Sequence, residues 1–414
     1  MKKSILIIGN YPPPFGGIPV HLEYLAPYLA SRGWDVHVLP IKPRSIPLEH
    51  IGDFTLHSQY LDGPKSSDEL HELNIKNFWE RIKRKLLVKQ DRSRIKNINN
   101  SMYLAKRAEE IIREYDIRAI SAYHVFPAGL AGAWLARELG IPLVTSIFGE
   151  IYSEFALYKR WRREVEFVFS NSESLVSCSA HCAKSPKKLD LNVKVDVVLY
   201  GIDTTVFLPN IDATDIRRRF NLVNEDKVLI FVGRMTREMG LQILMESIPK
   251  VLEVMPNIRF VIAGRSAELL EPARDLRNKY TENVFVIPDV PREELPQYYA
   301  LSTISVVPSI NDRACLGLAA AEAMACGKPV IITNIGGGPE VVTEECGRLI
   351  PPEDPSALAR SIMSLIDDAE SIKRMGQAGR SRAVAYFDKE QTNQQMELIF
   401  DQVLEAASRN NKRS

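Results

Sequence analysis

Apolar residues along this chain are arranged in two ways that alternate. Short unbroken runs rich in Ile and Val, such as Ile5 to Ile8, read as strands covered on both faces. Longer stretches with an apolar residue at every third or fourth position read as amphipathic helices. Ile5–Ile8 runs into Gly9-Asn10-Tyr11-Pro12-Pro13-Pro14-Phe15-Gly16-Gly17, a stiff loop that relaxes into two glycines. A helix carrying His21, Leu22, Leu25 and Leu29 follows, closes at Gly33, and gives way to a second strand, Val36 to Leu39. Strand, glycine loop, helix, strand is the opening of a doubly wound unit.

Helices over Met102–Tyr115 and Ala128–Leu139 precede strands at Ala119–Ile120 and Leu143–Ile147, and Leu175–Ser177 and Val195–Val198 read as later strands of the same sheet. Ser45 to about Ile95 has little periodicity and reads as insertions and a basic helix. The pattern then restarts. Val228–Val232, Arg259–Ala263, Val284–Ile287, Ile304–Val307 and Val330–Thr333 are strand-like, with helices over Leu241–Val254, Leu295–Leu301 and Pro355–Ile366. Two such sets predict an α/β protein of two Rossmann-like domains, residues 1–200 and 201–385, joined near Gly201-Ile202-Asp203. Within residues 386–414, a helix over about Lys389–Ala407 places Met396, Ile399, Phe400, Val403 and Leu404 on one face, which needs a surface to dock on.

Charge changes this picture little. The 53 Lys and Arg offset 52 Asp and Glu, so net charge argues for neither nucleic acid nor an acidic tail. The first residues are too short an apolar stretch for a leader, and no run approaches the roughly 18 apolar residues of a membrane span. Cys178, Cys182, Cys315, Cys326 and Cys346 are expected as buried free thiols of a cytoplasmic protein. No metal site is expected, because Cys178 and Cys182, with His181 between them, lack a second ligand pair.

Four places carry candidate chemistry. Gly16 and Gly17 let a backbone approach a phosphate at a helix N-terminus, or simply form a tight turn. No Gly-X-Gly-X-X-Gly accompanies them, which argues against a nicotinamide dehydrogenase. Gly233-Arg234 follows a buried strand, where open α/β sheets bind ligands and a guanidinium can grip a diphosphate, although a solvated loop arginine reads the same way. Glu322 lies in an early turn of an alanine-rich helix, as a hydroxyl acceptor or a plain charge stabiliser of the helix end. Gly336-Gly337-Gly338-Pro339-Glu340 lines the same crevice or is an ordinary loop.

Together these pieces are more specific. Pro12-Pro13-X-X-Gly16-Gly17 with His21 is followed by Tyr200-Gly201-Ile202-Asp203-X-X-X-Phe207-X-Pro209 and Gly233-Arg234-X-X-X-Glu238-X-Gly240. Ala263-Gly264, Val307-Pro308-Ser309, Glu322-Ala-Met-Ala-Cys-Gly-Lys-Pro-Val330 and Gly336-Gly337-X-Pro339-Glu340 complete the series. From about Ile5 to Phe400 the chain resembles the retaining glycosyltransferases of family 4, which have the GT-B fold.

The resemblance implies two Rossmann-like domains facing across a cleft, with the last helix returning to the first domain. It implies an enzyme that moves a sugar from a nucleotide-diphosphate sugar to the hydroxyl of a glycan, lipid-linked or small-molecule acceptor. The reaction would proceed with retention and need neither cofactor nor metal. Arg234, with Gly233, would hold the diphosphate and Glu322 the ribose. The amides of Gly317, Leu318 and Ala319 would meet the distal phosphate, and Gly16 and Gly17 would close on it.

Three matching positions depart from the family pattern. Met239 stands where a lysine is usual, Ala314 where an acid is usual, eight residues before Glu322, and Phe148 where a histidine precedes Gly149. All three would face the sugar or its leaving group. Either the chain is a transferase with an unusual donor or acceptor that uses other groups, Glu150, His124, Asp312 and Arg313 being candidates, or it only binds nucleotide or a partner, or couples a sugar-like donor to a different nucleophile. Two basic clusters, Arg81 to Lys96 and Lys159 to Arg163, would seat the protein on the anionic inner face of a membrane or form solvated helix faces. Nucleic acid is not an expected partner.

Overall fold

The computed structural model describes residues 2–12, 16–41, 49–57, 92–223 and 225–411. The first lobe is a sheet of eight described strands: β1 (Ser4–Ile8), β2 (Asp35–Leu39), β3 (Glu49–Ile51), β4 (Phe54–Leu56), β5 (Ala119–Tyr123), β6 (Leu143–Ile147), β7 (Ser174–Ser177) and β8 (Asp196–Val197). Their order is β3-β4-β2-β1-β5-β6-β7-β8, parallel throughout except for the β3–β4 pair. Helices α1 (Gly17–Ser31), α2 (Arg92–Tyr115), α3 (Leu130–Leu139) and α4 (Arg162–Ser170) accompany it. β1 is buried along its whole length, as its unbroken apolar run requires of a strand covered on both faces.

The second lobe is fully parallel. Its strands are β9 (Val228–Val232), β10 (Arg259–Gly264), β11 (Val284–Pro288), β12 (Ile304–Val307), β13 (Val330–Thr333) and β14 (Gly347–Ile350), in the order β11-β10-β9-β12-β13-β14. The helices are α5 (Leu241–Val254), α6 (Leu270–Lys279), α7 (Leu295–Leu301), α8 (Leu318–Ala325), α9 (Pro355–Ile366) and α10 (Ala369–Tyr386). α11 (Lys389–Asn411) ends the described chain.

Each sheet reverses its winding once, between β1 and β5 in the first lobe and between β9 and β12 in the second. Ligands of open α/β sheets bind outside the carboxyl ends of the strands at such points. The chain crosses between lobes twice, and the crossings touch: Ile202 N donates to Phe387 O at 2.7 Å, and Lys389 N donates to Ile202 O at 2.9 Å. α11 then packs on the first lobe, where Trp34 meets Phe400 edge-on at 6.0 Å and donates to Glu397 at 3.1 Å. Met396, Phe400, Val403 and Leu404 are buried there.

The structure corrects several sequence expectations. Residues 49–56 include a hairpin, β3–β4, not seen in the sequence, while residues 58–91, with most of the first basic cluster, lie outside the described residues. α2 starts at Arg92 rather than Met102, and β8 shrinks to two residues. The helices α6 and α10 and strand β14 were not anticipated. α6 is mostly polar with one buried residue, Ala273, so its periodic signal is weak. In the second basic cluster, Trp161 is buried against Phe126 at 5.3 Å and is a core side chain. Among the described residues, no helix is long and apolar enough to cross a membrane.

Candidate active site

The winding reversals bring four loops together. In the second lobe, the loop after β9 carries Gly233, Arg234, Glu238 and Met239, and the loop after β12 carries Asp312, Arg313 and Ala314. Gly240 joins them closely: it has φ +74°, and a Cβ there would lie 1.7 Å from Pro308 O, so only glycine fits. Arg234 Nη2 lies 3.4 Å from one oxygen of Glu238, and Arg313 Nε lies 3.7 Å from the other. One carboxylate thus sits between two half-exposed guanidiniums.

Met239, beside Glu238, is partly buried, packs against the hydrophobic core of the second lobe and adds no charge to this group. Ala314 contributes backbone, its carbonyl accepting from Gly337 N at 2.8 Å, which seats the triple-glycine loop beneath it.

α8 starts at Leu318 after Gly317, which has φ +74°. Its partly buried N-terminus faces the first lobe, since a Cβ on Gly17 would stand 3.9 Å from Leu318 Cδ1. Gly16, Gly17, Gly317, Leu318 and Ala319 are therefore gathered where two helix N-termini approach. Glu322 is set deeper and is 5 % exposed. Tyr299 Oη donates to Glu322 Oε2 at 3.0 Å, and Arg292 Nη1 is 3.4 Å from Oε1. Burial pushes the Glu322 carboxyl above the usual range, against the opposing pull of Arg292 and Tyr299. Its counter-charge is therefore a partly buried arginine, with the helix dipole secondary. Arg292 also donates to Tyr24 Oη of α1 at 2.9 Å, so this pair reaches into the other lobe.

On the first lobe, His124 follows β5 and Phe148-Gly149-Glu150 follows β6. Glu150 accepts from Phe148 N at 2.7 Å and Val125 N at 3.4 Å, and lies 3.6 Å from His124 Nδ1. His124 has φ +76° and ψ 150°, a backbone region costly for any side chain. Strain of this kind persists where surrounding structure holds a residue in place. Phe148 is buried in a ring cluster, 6.2 Å from Tyr123 and 5.7 Å from Tyr200, while His21 stacks on Tyr200 at 3.8 Å. Burial holds the His21 pKa down at about 3, so the ring is neutral.

The lobes touch directly beside these groups. A Cβ on Gly149 would meet Arg313 O at 2.6 Å, and Gly149 N donates to Cys315 Sγ at 2.9 Å. His181 Nε2 is 2.8 Å from Asp312 O, so Asp312 bears on the first lobe through its backbone. Glu340, from the glycine loop, accepts from Ala180 N at 2.7 Å and His181 N at 2.6 Å. The neighbouring Cys315 thiol and burial push the Cys182 thiol up, and the Cys178 thiol and burial push Cys315 up, so both stay protonated.

Residues 15–206 match the family model described as Glycosyltransferase Family 4, and residues 212–382 match that described as Glycosyl transferases group 1. A D-inositol 3-phosphate glycosyltransferase of Thermobifida fusca is 30% identical over 297 residues, 67% of this chain and 67% of its own. The chain belongs to glycosyltransferase family 4. A glycogen synthase of Mycobacterium tuberculosis is 25% identical over 93% of this chain and 91% of its own. Sucrose-phosphate synthase from Thermosynechococcus elongatus superposes with a TM-score of 0.77 at 22% identity, covering 98% of this chain and 100% of that one. The Anabaena protein Alr3699/HepE, solved in complex with UDP, gives 0.72 at 16% identity, covering 96% and 100%. The two parallel lobes are the GT-B fold of this family.

Within this family member, sequence reasoning missed Arg292 and Tyr299, and it named Glu340 without its partners on the first lobe. Arg292 and Tyr299 meet Glu322 from positions 30 and 23 residues earlier, a separation with no periodic signature. The Arg234–Glu238 pair was not read from the sequence either, since residues 233–240 form bends and turns rather than a helix whose spacing would signal it.

Proposed function

We propose that this glycosyltransferase moves a sugar from a nucleotide-diphosphate sugar to an acceptor hydroxyl on a glycan, lipid-linked or small-molecule acceptor, with retention and without a cofactor or metal. The observation that carries the reading is the meeting of two winding reversals, with Gly17 against Leu318 and Gly149 against Arg313. This sets anion-binding groups opposite Glu150 and His124. Arg234 and the amides of Leu318 and Ala319 take the diphosphate, by charge-assisted hydrogen bonds and the field of a helix N-terminus. The UDP held by the Anabaena neighbour supports the nucleotide half of this reading.

Glu322 takes the ribose. A carboxylate has about four acceptor sites, so it keeps Arg292 and Tyr299 while accepting from a hydroxyl. Glu150 stabilises positive charge developing at the sugar, or receives the acceptor's proton, with His124 beside it to share that proton. Contact between the lobes excludes water, which would otherwise consume the donor. Cytoplasmic residence against anionic lipid belongs to this reading too, supported by the exposed Lys159, Arg160 and Arg163.

A second reading, nucleotide binding without transfer, is favoured by Phe148, a buried ring with no proton to give. Calorimetric titration with UDP-, GDP- and ADP-sugars, then a transfer assay with whichever binds, separates the two. Binding with turnover is expected. Binding without turnover favours the second reading, and no binding to any of the three overturns both.

A further inference from the structure

We propose that Arg313 is the second cationic ligand of the donor diphosphate, supplying the charge that position 239 lacks. This rests on the donor reading above. The loops after β9 and β12 flank one crevice because those strands are neighbours at the winding reversal. Arg234 comes from the first loop and Arg313 from the second, and both reach the same Glu238 carboxylate, at 3.4 and 3.7 Å. Their side chains are 46% and 44% exposed, so each guanidinium keeps donors free. Two positive charges against one negative leave the group net cationic.

A diphosphate spreads its charge over two phosphorus centres, and a pair of planar guanidiniums matches it better than one. Met239 cannot contribute, being uncharged and packed on the core. Arg313 is also placed by the opposite lobe, since its carbonyl fills the space where a Cβ on Gly149 would stand. The second cation is therefore in position when the lobes are together, beside Glu150 and His124.

The test is calorimetric binding of UDP and UMP, and of GDP and GMP, to the full chain, to Arg234→Ala, to Arg313→Ala and to the double variant Arg313→Ala with Met239→Lys. Arg313→Gln and thermal melts of every variant keep the test valid should Arg313→Ala fold poorly. Loss of one charge-assisted contact is expected to weaken the diphosphate about 10- to 100-fold and the monophosphate less. A lysine at position 239 is expected to restore part of the loss. Equal weakening of mono- and diphosphate, or unchanged diphosphate binding in both Arg313 variants while Arg234→Ala loses it, overturns the proposal and leaves the donor reading standing. Absence of binding by the unsubstituted protein to all four nucleotides overturns the donor reading itself.

Discussion

On the second-lobe wall of the crevice, polar side chains meet in charged pairs, with Arg234 and Arg313 on Glu238 and Arg292 on Glu322. On the first-lobe wall the matching layer is aromatic: His21, Tyr123, Phe148 and Tyr200 pack ring on ring. Glu150 with His124 is its charged centre. In the function proposed above, the difference separates two tasks. Cationic groups held by nearby carboxylates can exchange those carboxylates for a phosphate, so the second wall suits binding. A dry aromatic layer around one carboxylate concentrates the field of that carboxylate, so the first wall suits chemistry at a single point.

The comparison can be broken in three ways. Glu322→Gln leaves the partly buried Arg292 without its counter-charge and is expected to cost roughly 3 kcal/mol of stability, the low end for a broken buried pair. Denaturant unfolding measures this, and the double variant Arg292→Met with Glu322→Leu should recover most of it. Wild-type stability in Glu322→Gln would mean that the second wall does not depend on its pairs.

Glu150→Gln is expected to lower kcat about 100-fold, roughly 2.7 kcal/mol, with nucleotide affinity nearly unchanged. Steady-state kinetics beside calorimetry reads both quantities. A fall in affinity instead would erase the division of labour between the walls.

The smallest effect concerns pH. His21 is neutral when folded, with a pKa of about 3, whereas it titrates near 6.5 when unfolded. Between those values the unfolded chain binds more protons, so stability falls as pH falls. By pH 5 the loss from His21 is about 2 kcal/mol. His21→Gln should flatten this slope in melts between pH 7 and 5. An unchanged slope would show that the aromatic wall carries no buried proton cost at His21.

Local pattern determined much of this molecule. The strands β9, β12 and β13 and the helices α5, α7 and α9 lie where their apolar periodicity put them, because covered strands and amphipathic helices carry their signal in consecutive residues. The segments that carry the family resemblance are local too: Gly233-Arg234 and Gly317-Leu318 each occupy one strand-to-helix turn. Tertiary structure decided the rest. Glu322 finds Arg292, Arg313 finds Glu238, and Gly149 finds Arg313 only because two sheets reverse their winding at points that then face each other. Which way Met239 turns follows from packing on a core assembled from distant segments. A pair set by long-range chain closure leaves no period in the sequence, so candidates such as Glu322 could be named from the chain but their partners could not.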